Sequence, residues 1–143
     1  MFEYDLTNKI LDEKHTPLNN ISYYGKTKAL TYNALSQYMS NFSNIQFKWT
    51  RIFNLFGKNE KSNRLVPYII RCINSKTDIN LKSNNDIDYS YVKDTAAAIF
   101  KTFQSDYSGA VNICSGKTIS LNEIAKILCN KFNYDVKHIK FTN

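Results

Sequence analysis

The sequence has little of what staples, bends or punctuates a chain. There are three cysteines, Cys72, Cys114 and Cys129. The odd count and the lack of any Cys-x-x-Cys spacing exclude a disulfide framework and a cysteine zinc site. Reduced thiols in a cytoplasmic protein are the simplest expectation. The two histidines, His15 and His138, lie far apart in the sequence, and neither stands in a metal-ligand pattern. Four glycines and two prolines are scattered singly, so there is no Gly- or Pro-rich linker. No segment repeats. No stretch approaches the ~20 apolar residues of a membrane span. The opening Met1-Phe2-Glu3-Tyr4-Asp5 turns acidic within three residues and carries no apolar run, unlike a signal peptide. No membrane partner is expected.

What remains is a chain of 143 residues, one domain or part of one. A chain of this size buries roughly two thirds of its extended surface. A hydrophobic share of 43% with 14% aromatics argues against disorder. The net charge of +7 would suit a nucleotide, a nucleic acid or an acidic surface. The lysines form no dense block, however, and a general compositional bias explains the charge as well. Ten tyrosines and nine phenylalanines could stack on RNA in a basic binding module. They fit core and pocket positions of an α/β protein better, so nucleic acid is an unlikely partner.

Patterning along the chain alternates strands and helices. Residues 1–21 are polar and read as an extended entry loop. A helix is expected from Ser22 to Met39, with Tyr24, Lys28, Thr31, Leu35 and Tyr38 on one stripe. Ile45 to Ile52 reads as a buried strand, which Asn54-Leu55-Phe56-Gly57 leaves. A polar loop, Lys58 to Ser62, leads to a helix from Arg64 to Asn74, for which Asn63 is a reasonable N-cap. Short strands are expected at Ile79 to Leu81 and Tyr89 to Val92. Asp94 then reads as the N-cap of a helix through Phe103. A strand follows at Ala110 to Ile113, and Ser115-Gly116 turns the chain. Ser120-Leu121-Asn122-Glu123 is a capping box, with Ile119 and Ile124 as its staple. The helix it opens runs through Phe132, and Ile139 to Phe141 begins a last strand. The pattern is that of an α/β protein.

One spacing bears on chemistry. Four residues apart on a helix, Tyr24 and Lys28 share a face. An ammonium near a phenol favours the phenolate and lowers the tyrosine pKa from ~10 toward neutrality. Such a tyrosine can exchange a proton with a substrate hydroxyl. Taken alone, the pair is weak evidence, because surface helices produce it by chance.

Five segments in order strengthen it. Pro17 to Lys28, Arg51 to Gly57, Leu65-Val66-Pro67, Asp88 to Asp94 and Asn112 to Glu123 together resemble the extended short-chain dehydrogenases. More narrowly, they resemble the NAD-dependent epimerase/dehydratase family, which acts on nucleotide sugars. The resemblance implies the C-terminal part of a Rossmann-like fold with its small substrate-binding subdomain. It divides the chain into an entry loop (1–21), the catalytic helix with its following strand (22–57) and a mainly substrate-binding region with interleaved core strands (58–143). By resemblance Tyr24 is the acid/base and Lys28 holds the nicotinamide ribose of NAD or NADP. Asn54 would line the substrate pocket near the phosphates, the alternative being a turn residue. Asn63, Leu65 and Val66 would lie against the nucleotide base and its phosphates, the alternative being a plain helix start. Asp94 would be a structural cap, and Asn112 and Gly116 fold-defining turn residues. Homodimerisation through the tyrosine-bearing helix is a further implication.

The departures are equally specific. The family opens with a Gly-rich turn whose backbone N–H groups bind the pyrophosphate, and none of these 143 residues form one. The acid that reads the adenosine ribose is missing with it. Thr7 and Thr16, in the polar loop, are poor substitutes for the family's Ser or Thr upstream of the tyrosine. Ile87 precedes Asp88 where the family usually has Arg, leaving Lys82 or Arg71 as alternative sources of positive charge. The expectation is therefore a fragment inactive by itself. A companion chain or an upstream reading frame would supply the other half. The alternative is a truncated, non-catalytic remnant.

Overall fold

Small residues decide how the first helix seats. The computed structural model describes residues 3–5, 10–19 and 21–142. The elements run α1 (Tyr23–Met39), β1 (Lys48–Ile52), β2 (Asn54–Phe56), α2 (Leu65–Ser75), β3 (Ile79–Leu81), β4 (Asp86–Tyr91), α3 (Val92–Gln104), β5 (Gly109–Ile113), β6 (Thr118–Ser120), α4 (Leu121–Lys131), a 3-10 turn (Val136–His138) and β7 (Ile139–Phe141). They belong to two units, Met1–Phe53 with Asp94–Ile113 and Asn54–Lys93 with Cys114–Asn143.

In the first unit, Ser22 caps α1 by accepting the Gly25 N–H at 3.0 Å. The inward row of α1 is Gly25, Ala29, Tyr32, Ser36 and Met39, of which Gly25 and Ala29 are buried. The expected stripe lies one position round the helix and faces outward, with Tyr24 59% and Tyr38 61% exposed. The physical reason is the near absence of side chain at positions 25 and 29, which lets the backbone come close on that side. β1 pairs in parallel with β5, Lys48 opposite Gly109 and Ile52 opposite Ile113. The strand begins at Lys48 rather than Ile45.

The entry segment is more than a loop. Glu3 and Tyr4 are buried, Tyr4 completely. The Tyr4 hydroxyl donates to Asn112 Oδ1 at 2.8 Å, and Asn112 Nδ2 donates to the Leu11 carbonyl at 3.0 Å. Glu13 accepts the Asn112 N–H at 2.7 Å. Asn112 thus stands within β5, not in a turn, and ties the entry segment to that strand. Asp94 lies in the first turn of α3 rather than before it, where its charge favours the helix N-terminus.

In the second unit, β4 lies between β2, parallel, and β6, antiparallel, while β3 pairs in parallel with β7. Asn54-Leu55-Phe56, expected to leave a strand, is itself a strand in register with Tyr89-Ser90-Tyr91. Ile69, Cys72, Ile73, Ile79, Leu81, Ile124, Ala125 and Cys129 form the core. Each buried isoleucine or leucine there contributes about 1.5–3 kcal/mol. The capping box forms as expected, and Ile119 packs against the core cluster that holds Ile124. Asn63 is not a cap. α2 begins after Arg64, whose side chain makes no capping hydrogen bond. Gly116 does turn the chain, at φ +75.

Candidate active site

α1 presents Tyr24 and Lys28 on its outward row, with the Lys28 Nζ 5.9 Å from the Tyr24 ring centroid. Both line a cleft of about 380 Å³, whose other walls include Glu3, Trp49, Thr50 and Arg51. The pair therefore faces space that a ligand can enter, and the two side chains lie close enough to act on one group.

Beside them is a cluster that reading the sequence missed. Arg51 is 2% exposed. Its Nε donates to Glu3 Oε2 at 2.7 Å and its Nη1 to the Tyr4 hydroxyl at 3.1 Å. The guanidinium carbon lies 4.9 Å from the Tyr4 ring and 4.7 Å from the Tyr32 ring. The Trp49 indole N–H donates to both oxygens of Glu3, at 3.0 and 3.1 Å. Burial works against the charge on Arg51, but the hydrogen bonds and charges of Glu3 and Tyr4 outweigh it and raise its pKa. Burial likewise pushes the Tyr4 phenol up, with Arg51 opposing. One signal was available: a charge inside the β-forming run Trp49 to Phe53 must find a partner if that strand is buried.

The other expected site residues belong to the second unit. Asn54, on β2, donates through Nδ2 to the Asp88 carbonyl at 3.2 Å. The Asp88 carboxylate accepts the N–H groups of Ser115 and Gly116, each at 2.8 Å. Asp88 thus organises the turn after β5 whatever residue precedes it. Asn63 is exposed ahead of α2. Leu65 and Val66, half-buried, pack on the core, and Val66 also lines a groove of about 390 Å³ with Glu60, Pro67 and Arg71. Arg71 donates to the Ser62 carbonyl at 3.3 Å, and Lys82 is exposed. Burial pushes the Glu60 carboxyl up against the pull of Arg64.

Thr7 lies outside the described residues. Thr16 has its hydroxyl committed to its own loop, accepting from the Asp12 N–H at 2.7 Å. Among the described residues no group of three or more His, Cys, Asp or Glu side chains is placed to hold a metal ion. None of their helices is long and apolar enough to cross a membrane.

Known structures identify the fold. Dehydratase dTDP-glucose 4,6-dehydratase from Bacillus anthracis, crystallised in complex with NAD, matches with a TM-score of 0.86 at 19% identity, over 99% of this chain and 46% of that one. The fold is thus that of the Rossmann-like extended short-chain dehydrogenases, across about half its length. Within it the chain belongs to the NAD dependent epimerase/dehydratase family, whose sequence profile matches residues 3–114. CDP-abequose synthase of Salmonella muenchen is 23% identical over 107 residues, 68% of this chain and 36% of that protein. The dTDP-6-deoxy-L-talose 4-dehydrogenase (NAD(+)) of Aggregatibacter actinomycetemcomitans is 24% identical over 127 residues, 87% of this chain and 47% of that protein. The chain spans less than half the length of each of these relatives.

Proposed function

We propose that this chain carries the proton-transfer side of a nucleotide-sugar epimerase, dehydratase or reductase. The observation that carries the reading is the pairing of Tyr24 and Lys28 on the open face of α1, over a cleft, in a chain of this family. The three relatives differ in the reaction they name, but each name contains a nucleotide-linked sugar, and two name NAD. The reading is accordingly drawn at the step such reactions share.

In that step the Tyr24 phenolate takes the proton from a sugar hydroxyl as the C–H bond beside it breaks, or the Tyr24 hydroxyl returns it as that bond forms. The Lys28 ammonium, 5.9 Å from the Tyr24 ring centroid, sets a positive charge beside the phenol for that exchange. Bound NAD or NADP would supply the hydride acceptor or donor for that carbon. The residues fit only part of such a cofactor. Lys28 can hold a ribose hydroxyl, whereas the pyrophosphate finds no glycine turn among the 143 residues. A dinucleotide-binding half, in the same polypeptide or a companion chain, completes the enzyme. In the second unit, Asn54, Asn63, Leu65 and Val66 are assigned to the nucleotide part of the substrate.

The test is turnover of a nucleotide sugar by the chain combined with a dinucleotide-binding half of the family. Tyr24→Phe removes the exchangeable proton with little change of shape, and turnover should fall by about 10²–10⁴. Full turnover in that variant would remove Tyr24 from the chemistry.

A further inference from the structure

Arg51 is an expensive residue to place where it is. Its side chain is 1% exposed and that of its partner Glu3 8%. Among the described residues its buried Nη2 has no hydrogen-bond partner. Apolar side chains of similar volume commonly hold a buried ion pair's slot as well or better, because the lost hydration of two charges is not fully returned. Packing alone does not account for a cation here. What an apolar side chain cannot supply is direction. The planar guanidinium lies over the rings of both Tyr4 and Tyr32, and its edge is fixed by Glu3 and the Tyr4 hydroxyl. Glu3 is in turn fixed by the Trp49 indole. Tyr32 is the contact that matters, for it stands on α1 one turn beyond Lys28 and two beyond Tyr24. The small residues Gly25 and Ala29 on the same inward row let α1 lie close, but they present no shape that resists sliding or rotation.

We infer that Arg51 is a positioning residue for the Tyr24–Lys28 pair, locking the seat of α1 on β1 through the face of Tyr32. The inference rests on the proposed role of that pair. Arg51 touches no reacting atom in this scheme. It sets where Tyr24 and Lys28 stand over the cleft, and an error near 1 Å there costs on the order of 10²-fold in rate.

The experiment compares the parent with Glu3→Leu/Arg51→Met, which removes both charges and leaves the Tyr32 contacts with Phe47 and Trp49, and with Tyr32→Leu, which keeps the ion pair and removes the ring that Arg51, Phe47 and Trp49 contact. Melting, amide hydrogen exchange of the 143-residue chain and kinetics with a dinucleotide-binding half are measured on each. Both variants should melt within about 5 °C of the parent. Exchange at the amides of residues 26–32 should rise at least tenfold, with α4 unchanged. The kcat should fall at least tenfold at constant KM, and neither change should cost more once Tyr24→Phe is present. Parent-like exchange in α1 or parent-like kcat in these variants overturns the inference. Loss of cooperative melting in both also overturns it, since Arg51 would then serve the fold as a whole. Exchange is read without turnover, so a dispensable Tyr24 would sink the catalytic reading separately.

Discussion

At the scale of single residues, the two units treat their polar groups differently. In the first, a buried cation is answered by a carboxylate and two aromatic faces. In the second, Tyr89 is half-buried with its ring stacked on Phe56, and burial together with the Glu60 carboxylate pushes its phenol up to about 12, Arg64 opposing. A phenol whose folded pKa exceeds its ordinary 10.0 is held in its neutral form by the fold. Its contribution to stability is complete below that ordinary value and is lost as pH rises toward 12. In a titration of tyrosinate absorbance, Tyr89→Phe should delete one phenol from the last-titrating step and leave the earlier steps unchanged. Loss of a phenol from the step near 10 instead would place Tyr89 in contact with water. The Tyr24–Lys28 pair was legible at this scale because its signal is a local spacing. Glu3 and Arg51 were not, since 48 positions separate them and only the folded chain brings the carboxylate to the guanidinium.

At the scale of elements, the clearest signal was the capping box of α4. Glu123 Oε2 accepts both the Ser120 N–H, at 3.1 Å, and the Ser120 hydroxyl, at 2.9 Å. These bonds, the backbone one foremost, hold the Glu123 carboxyl below its ordinary 4.5. A depressed carboxylate stabilises the fold above its unfolded pKa, and that stabilisation is lost as pH falls through the folded value. Glu123→Gln keeps the hydrogen-bonding shape of the box and removes the charge. The parent should therefore melt higher than the variant at neutral pH, and the gap should close as pH falls through the lowered folded pKa of Glu123. A gap independent of pH would assign the effect to shape alone. Other boundaries were less legible for a physical reason. Asn63 has the chemistry of a cap, yet Arg64 occupies the position, and no local rule distinguishes adjacent polar residues there. In α1 the inward row is set by small residues, which carry almost no hydrophobic signal, so the sequence pattern favours the stripe of larger side chains one position away. Residues 3 and 4 look like loop because their partners, Arg51 and Asn112, lie on strands far along the chain.

At the scale of the molecule, the four glycines decide what the chain can bind by itself. Gly25 is buried on the inward row of α1, where its lack of a side chain lets the helix approach. Gly57 faces Val92 so closely that an added Cβ would run into the Cγ1 methyl. Gly109 opens β5 at φ +128, and Gly116 makes the turn held by Asp88 at φ +75. Each glycine has a local task, and no two stand near enough in sequence to make a phosphate-binding turn. Within these 143 residues Tyr24 and Lys28 offer a dinucleotide only a phenol and an ammonium on an open face, too few contacts to offset the loss of its freedom on binding. Calorimetric titration of the chain with NAD should accordingly show no saturable binding tighter than about 1 mM. With a dinucleotide-binding half present, binding should appear, and Lys28→Met should weaken it by about tenfold through loss of the proposed ribose contact. Micromolar binding by the chain alone would mean that its own residues form a pyrophosphate site without glycines, and the division of labour proposed between the two halves would fail.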